Sequence, residues 1–131
     1  INVNSTSRNM DEYRDEITVQ YPNFYTVECL ISRYHLKSRP WELWSNDINP
    51  QWWQEHNKVK HKRDQHSQLA NQKNVMDSLS GLFCMLLYLY QPDLYSGALL
   101  PSPVLWKYHN MPCGLTVNPG AELPDIPRRD A

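Results

Sequence analysis

The sequence predicts a mainly α-helical protein with an antiparallel helical hairpin, over about residues 50–64 and 69–91, at the centre of a small bundle. The first arm contains no glycine or proline after Pro50, and the apolar second arm repeats with a spacing of three and four residues until Pro92 ends it. Asn49 suits the N-cap of the first arm, since proline is favoured at the first helical position. The connection is short, so we expect the arms to pack antiparallel.

The apolar residues of the second arm predict the face that this helix buries. One stripe recurs at helical spacing, and three further apolar residues widen it. The stripe consists of Leu69, Met76, Leu79, Phe83, Leu86 and Tyr90, with Val75, Leu82 and Leu89 beside it. We therefore expect this helix to fill the centre of the core with that face.

The N-terminal third predicts shorter elements. Asn9 is a good N-cap for a helix over about residues 10–20, which should end before Pro22. Residues 24–36 have an uneven hydrophobic period that fits either a short helix or one or two strands. We expect a short β element in that range.

The C-terminal third is rich in proline, with seven of the ten prolines at or after Pro92. We expect irregular structure there, and only the segment 104–108 has enough apolar surface to dock on the core. Residues 1–131 should form a single domain, with 1–8 and 120–131 loosely ordered. Because the chain begins with isoleucine and not methionine, one interpretation is that it is a fragment of a longer chain.

Bulk charge gives no reason to expect an anionic partner. Thirteen Lys and Arg residues against fourteen Asp and Glu give a net charge of -1. The longest apolar stretch, residues 82–90, is about half as long as a membrane-spanning helix, and no leader sequence opens the chain. We expect a cytoplasmic protein without a membrane partner, in which any nucleic-acid binding depends on a local patch.

The cysteines do not predict a metal site. There are three of them, Cys29, Cys84 and Cys113, and no two have the close spacing that structural zinc sites use. We expect free thiols in a reducing cytosol, with Cys84 as an inert core residue of the apolar helix. No metal and no cofactor is expected.

A basic, histidine-rich run at residues 56–63 is the strongest functional signal. On a helix, Asn57 and His61 share one face, whereas His56 and His61 lie about 140° apart. The two imidazoles would converge only at a site between their stripes, such as the mouth of the hairpin or a dimer seam. The cations of this basic arm are Lys58, Lys60, Lys62 and Arg63.

Two interpretations of the basic arm remain open. In the first, a histidine acts as general acid or base while the cations hold a phosphate. In the second, the cations form a solvated face, the histidines satisfy local hydrogen bonds and Asn57 ties the helices together. Four nearby tryptophans allow base stacking or core packing, and we expect core packing. They are Trp41, Trp44, Trp52 and Trp53.

The stretch from Trp52 to Arg63, followed by the apolar helix, resembles a group of bacterial proteins of unassigned function with the signature W-x(3)-[YH]-N-x-V-K-H-x-R. More distantly, it is similar to the HEPN superfamily of helical-bundle domains. Many HEPN domains are metal-independent RNases, whose arginine, polar residue and histidine are usually assembled across a dimer. The resemblance implies a helical bundle and an RNA-related function.

Carried over by position, the resemblance makes Asn57 the polar residue and His61 the histidine of the motif. His56 stands where the arginine is expected, and a neutral imidazole cannot replace the fork of donors of a guanidinium. Lys60 or Arg63 would have to substitute from a different stripe of the helix. The candidate catalytic residues are therefore His61, His56 and Asn57.

These observations lead to two hypotheses. The first is a noncatalytic, HEPN-like module that binds RNA, a nucleotide, a partner protein or a second copy through the basic arm. The second is a metal-independent endoribonuclease of a toxin or phage-defence type with His61 as acid–base. The nuclease requires His61 exposed in a cleft near cations, whereas the module would bury it in hydrogen bonds.

Overall fold

Helices make up most of the structure, a computed structural model that describes residues 4–90, 106–108 and 125. In chain order the elements are α1 (Met10–Gln20), β1 (Cys29–Ile31), β2 (Leu36–Ser38), α2 (Gln51–His61), α3 (Arg63–His66), α4 (Gln72–Leu89) and β3 (Trp106–Tyr108). Short 3-10 helices occupy Phe24–Thr26, Ser32–Tyr34, Glu42–Asn46 and Ser67–Leu69. The predicted mainly α-helical class is confirmed.

The predicted helical hairpin is also confirmed. Trp52, near the start of α2, packs against Gly81 in the second half of α4, and Glu55 is hydrogen-bonded to Asn74 in the first half. Successive contacts thus advance along α2 while they recede along α4, so the helices are antiparallel. The second arm begins later than predicted, because Asn71 caps α4 by accepting the Asn74 N–H over 3.0 Å.

The predicted helix starts have different outcomes. Asn9 caps α1 as expected, since its side chain accepts the Glu12 N–H over 2.9 Å. The cap predicted at Asn49 is wrong, because Pro50 is the N-cap of α2 and no side chain caps it. The side-chain amide of Asn49 instead donates to Asp11 on α1 over 2.9 Å.

The predicted core face of α4 is largely wrong. The buried residues of α4 are Ser80, Gly81, Phe83, Cys84, Leu87 and Tyr88. Of the predicted apolar residues, Val75, Leu79, Leu82, Leu86 and Leu89 are between 38% and 54% exposed. Two indoles pack closely against one position of this face, Gly81, where a Cβ would lie 3.1 Å from Trp52 and 3.3 Å from Trp41.

Aromatic rings form the centre of the core. Phe24 is fully buried, and its ring lies 4.7 Å from that of Tyr88 and 5.9 Å from that of Trp41. The rings of Trp41 and Trp44 are 4.3 Å apart, and both residues are buried. Core packing is therefore confirmed for these two tryptophans, whereas Trp52 is only partly buried.

A small sheet covers one side of the core. Its strand order is β2-β1-β3, with both neighbours antiparallel to β1. The expected β element is present as β1, although 3-10 helices flank it on both sides. Residues 106–108, within the segment expected to dock, pair with β1, so that Cys29 lies opposite Tyr108.

Several predictions concern residues that the structure does not describe. Residues 1–3 and 120–131, except Asp125, are expected to be loosely ordered, and most of the C-terminal third is expected to be irregular. Cys113 is expected to be a free thiol. These expectations lie outside the described residues. Asp125 accepts hydrogen bonds from the backbone and side chain of Asn23. Within the described residues, no helix has the length and apolar character needed to cross a bilayer.

Candidate functional site

The basic arm lies at the C-terminal end of α2. Lys58, Lys60 and His61 occupy the last turn of this helix, where cations interact favourably with the partial negative charge of the unpaired carbonyls. Residues 51–66 carry four cations and two carboxylates, Glu55 and Asp64. This segment is therefore locally positive in a chain whose net charge is -1.

Lys62 interrupts the helix between α2 and α3. Its backbone angles, φ -143° and ψ 63°, are not helical, although its N–H still donates to the Lys58 carbonyl over 2.9 Å. The Lys62 carbonyl then accepts the N–H groups of Gln65 and His66, over 3.1 and 3.0 Å, and starts α3. The chain changes direction at one residue, so side chains after Lys62 no longer follow the helical spacing of α2.

The change of direction forms an open cavity of about 350 Å³. Its lining residues are Asn57, Lys58, His61, Lys62 and His66. His61 is exposed and His66 is half-buried. Neither imidazole is hydrogen-bonded to any residue that the structure describes. Two histidines and two lysines therefore line one open cavity, which we call the His61 cavity.

His56 lies in a different cavity, of about 370 Å³, between α2 and the start of α4. Its ring is 6.3 Å from that of Trp53, which lines the same cavity, as does Val59. The structure therefore does not bring together the two histidines that the sequence made candidates, His56 and His61.

Of the other predicted residues, the structure brings only some to the His61 cavity. Asn57, Lys58 and Lys62 line it, whereas Lys60 and Arg63 are exposed beside it. None of the four cations of the basic arm forms an ion pair within the described part of the chain. Their charges are thus available to a ligand.

Sequence reasoning missed His66, which it placed in the connection between the arms. His61 and His66 are five residues apart, and on an unbroken helix they would lie about 140° from each other. Only the break at Lys62 places both beside one cavity. No residue pattern marks this break, because lysine is a good helix former.

A larger charged cleft, of about 500 Å³, lies between β2, the start of α2 and α4. Apart from the Glu42 carboxylate, its charged side chains are already paired with one another. Lys73 and Ser38 both donate to Asp77, over 2.6 and 2.8 Å, and Arg39 forms an ion pair with Glu28 over 3.2 Å. The cations of the basic arm differ from these in lacking such carboxylate partners among the described residues.

Metal binding finds no support in the described ranges, 4–90, 106–108 and 125, where no three histidine, cysteine or acidic side chains come together. The arrangement in the His61 cavity suits acid–base chemistry and anion binding. Protein-family models, the curated proteins and the solved structures give no match to the chain.

Proposed function

We propose that the chain binds RNA through the basic arm, with the His61 cavity holding a backbone phosphate. The observation that carries the proposal is the set of exposed cations without carboxylate partners among the described residues. Cations of this kind attract a polyanion and release its counterions on binding. The HEPN-like relationship is part of the same proposal.

The test is the binding of a fluorescently labelled single-stranded RNA, followed by anisotropy over a range of salt concentrations. The triple variant K58Q/K60Q/K62Q should bind more weakly, and the slope of log K against log salt should fall by about 2 if all three lysines contact phosphates. The matched control is R8Q/R33Q/K37Q, which removes three exposed cations elsewhere. Equal loss in both variants, or no binding by the wild-type chain, would contradict the proposal.

Metal-independent RNA cleavage is a second candidate, favoured by one specific observation. His61 and His66 line the same cavity as Lys58 and Lys62, and His61 is exposed there as a nuclease requires. One neutral imidazole would take the proton of a ribose 2′-hydroxyl, which attacks the adjacent phosphorus. The other, protonated, would give a proton to the departing 5′-oxygen, while the lysines stabilise the added negative charge.

Cleavage is tested by incubating the chain with structured RNA in the presence of EDTA. His61→Ala and His66→Ala should each abolish cleavage, and the products should carry 2′,3′-cyclic phosphate and 5′-hydroxyl ends. His56→Ala is the matched control, since His56 lies in the other cavity, and it should retain activity. Absence of cleavage by wild-type chain at high concentration would exclude this candidate and leave RNA binding to its own test.

A further inference from the structure

Two buried cysteines from distant parts of the sequence meet in the core. Cys29 lies on β1 and Cys84 on α4, and both are 0% exposed. Their sulfur atoms are 3.0 Å apart, closer than two sulfurs in simple van der Waals contact. A disulfide bond has a sulfur–sulfur length of about 2.05 Å, so a movement of about 1 Å separates the pair from bonding distance.

The surroundings of the two sulfurs favour a bond between them over metal binding or a reactive thiol. Among the described residues, Cys29 has one further polar neighbour, the Ser80 carbonyl oxygen at 3.7 Å, and no group of metal ligands surrounds the pair. The hydrogen bond with Cys29, followed by burial, raises the pKa of the Cys84 thiol. The folded, reduced chain therefore keeps this thiol protonated and slow to react.

We propose that Cys29 and Cys84 form a disulfide when the chain folds in the presence of a small-molecule disulfide such as oxidised glutathione. Folding supplies the pairing, because the native core holds the two sulfurs together. It also supplies access, since both thiols are exposed to the oxidant before the core closes. The oxidation state of the pair then records the redox conditions under which the chain folded.

The reaction proceeds in two exchange steps. The Cys29 thiolate attacks one sulfur of oxidised glutathione, breaks its sulfur–sulfur bond and releases one glutathione thiolate. The Cys84 thiolate then attacks the Cys29 sulfur of the mixed disulfide and releases the second glutathione. The protein loses two electrons and two protons, and the oxidant takes them up as two molecules of reduced glutathione.

The bond would link β1 to α4 and close a long loop that contains β2, α2 and α3. A cross-link of this kind lowers the conformational entropy of the unfolded chain, and more so for a long loop. The oxidised chain should therefore unfold at a higher temperature than the reduced chain.

The pairing is tested by refolding the reduced, unfolded full chain in a glutathione redox buffer, alkylating the remaining thiols and digesting with trypsin without reduction. Mass spectrometry should find peptide 15–33 linked to peptide 74–107, with peptide 108–128 alkylated at Cys113. The Cys113→Ser variant should give the same linked pair. Alkylation of both Cys29 and Cys84, or equal linkage of each to Cys113, would overturn the proposal.

Thermal unfolding gives a second measurement that needs no substitution in the core. The oxidised wild-type chain should unfold about 10 °C above the same chain in reductant. Cys84→Ala, if it folds, should show no difference between the two conditions. Equal unfolding temperatures for a wild-type chain shown to contain the linked peptides would overturn the inference that the native core favours this bond.

Discussion

The side-chain amide of Asn74 joins three parts of the hairpin. It donates one hydrogen bond to the Glu55 carboxylate on α2 and another, of 2.8 Å, to the Leu69 carbonyl in the connection. Gln51 donates to the second oxygen of Glu55 over 2.8 Å. A single asparagine on α4 thus holds the first arm and the connection in register with the second arm.

The Glu55 interaction predicts a pH dependence of stability. Hydrogen bonds from Asn74 and then Gln51 lower the pKa of Glu55 below its ordinary value of 4.5. A carboxyl group with a lowered folded-state pKa stabilises the fold above its unfolded-state pKa, and this contribution is lost as pH falls through the folded-state pKa. Glu55→Gln should lower the free energy of unfolding at neutral pH by up to about 1 kcal/mol and flatten its decline in acid.

Urea unfolding at a series of pH values measures this effect. Glu42→Gln is the matched control, because the Glu42 carboxylate is exposed and makes no hydrogen bond within the described residues. The prediction fails if both variants change the pH dependence equally.

Gly81→Ala should destabilise the protein despite the higher helix propensity of alanine. The added Cβ would lie 3.1 and 3.3 Å from the rings of Trp52 and Trp41. Neither ring moves freely, since their N–H groups donate to the Pro40 and Gly81 carbonyls. We expect a net loss of about 1 kcal/mol in chemical denaturation, because overpacking outweighs the gain in propensity. Gln72→Ala, on the exposed start of α4, should change stability little; an equal loss there would argue against overpacking.

Trp41 and Trp44 offer a direct comparison of a satisfied and an unsatisfied buried donor. Trp41 Nε1 donates to the Gly81 carbonyl over 3.2 Å, whereas Trp44 Nε1 is buried without a partner among the described residues. Trp41→Phe removes the hydrogen bond to the Gly81 carbonyl. Trp44→Phe removes a buried N–H group that makes no hydrogen bond to a described residue. Trp41→Phe should therefore be more destabilising by about 1 kcal/mol in urea unfolding. The reverse order would show that ring packing, and not the N–H group, dominates at these positions.

His35 adopts a left-handed backbone conformation, with φ 52°, immediately before β2. Residues with a Cβ are strained in this conformation, whereas glycine is not. His35→Gly should therefore be more stable than His35→Ala by about 1 kcal/mol, measured as the difference between their free energies of unfolding. Equal stability of the two variants would mean that this turn relaxes out of the left-handed region.

The parts of the fold that sequence predicted well depend on short-range chemistry. α1 spans the predicted residues because Asn9 caps its first turn and Pro22 follows its end. The buried face of α4 depends instead on Trp41 and Trp52, which reach Gly81 from other parts of the chain. The spacing of apolar residues within α4 cannot predict which of its faces contacts aromatic rings from other elements.

The candidate site shows the same division. Spacing on α2 correctly grouped Asn57 with His61, which line one cavity. The same spacing put His56 about 140° from His61, and the two residues line different cavities. Spacing could not add His66, because its position depends on where the chain leaves α2. The helix ends there because the backbone of Lys62 is not helical, and no pattern of side chains in the sequence predicts this.

Because of the break at Lys62, the residues of the candidate site can move without moving most of the fold. All five residues that line the His61 cavity lie between positions 57 and 66, and α3 has only four residues. A helix this short opens locally at low cost, without disturbing the aromatic core. A ligand in the cavity would therefore register as slower amide hydrogen exchange at residues 62–66, while exchange in the second half of α4 stays as it was.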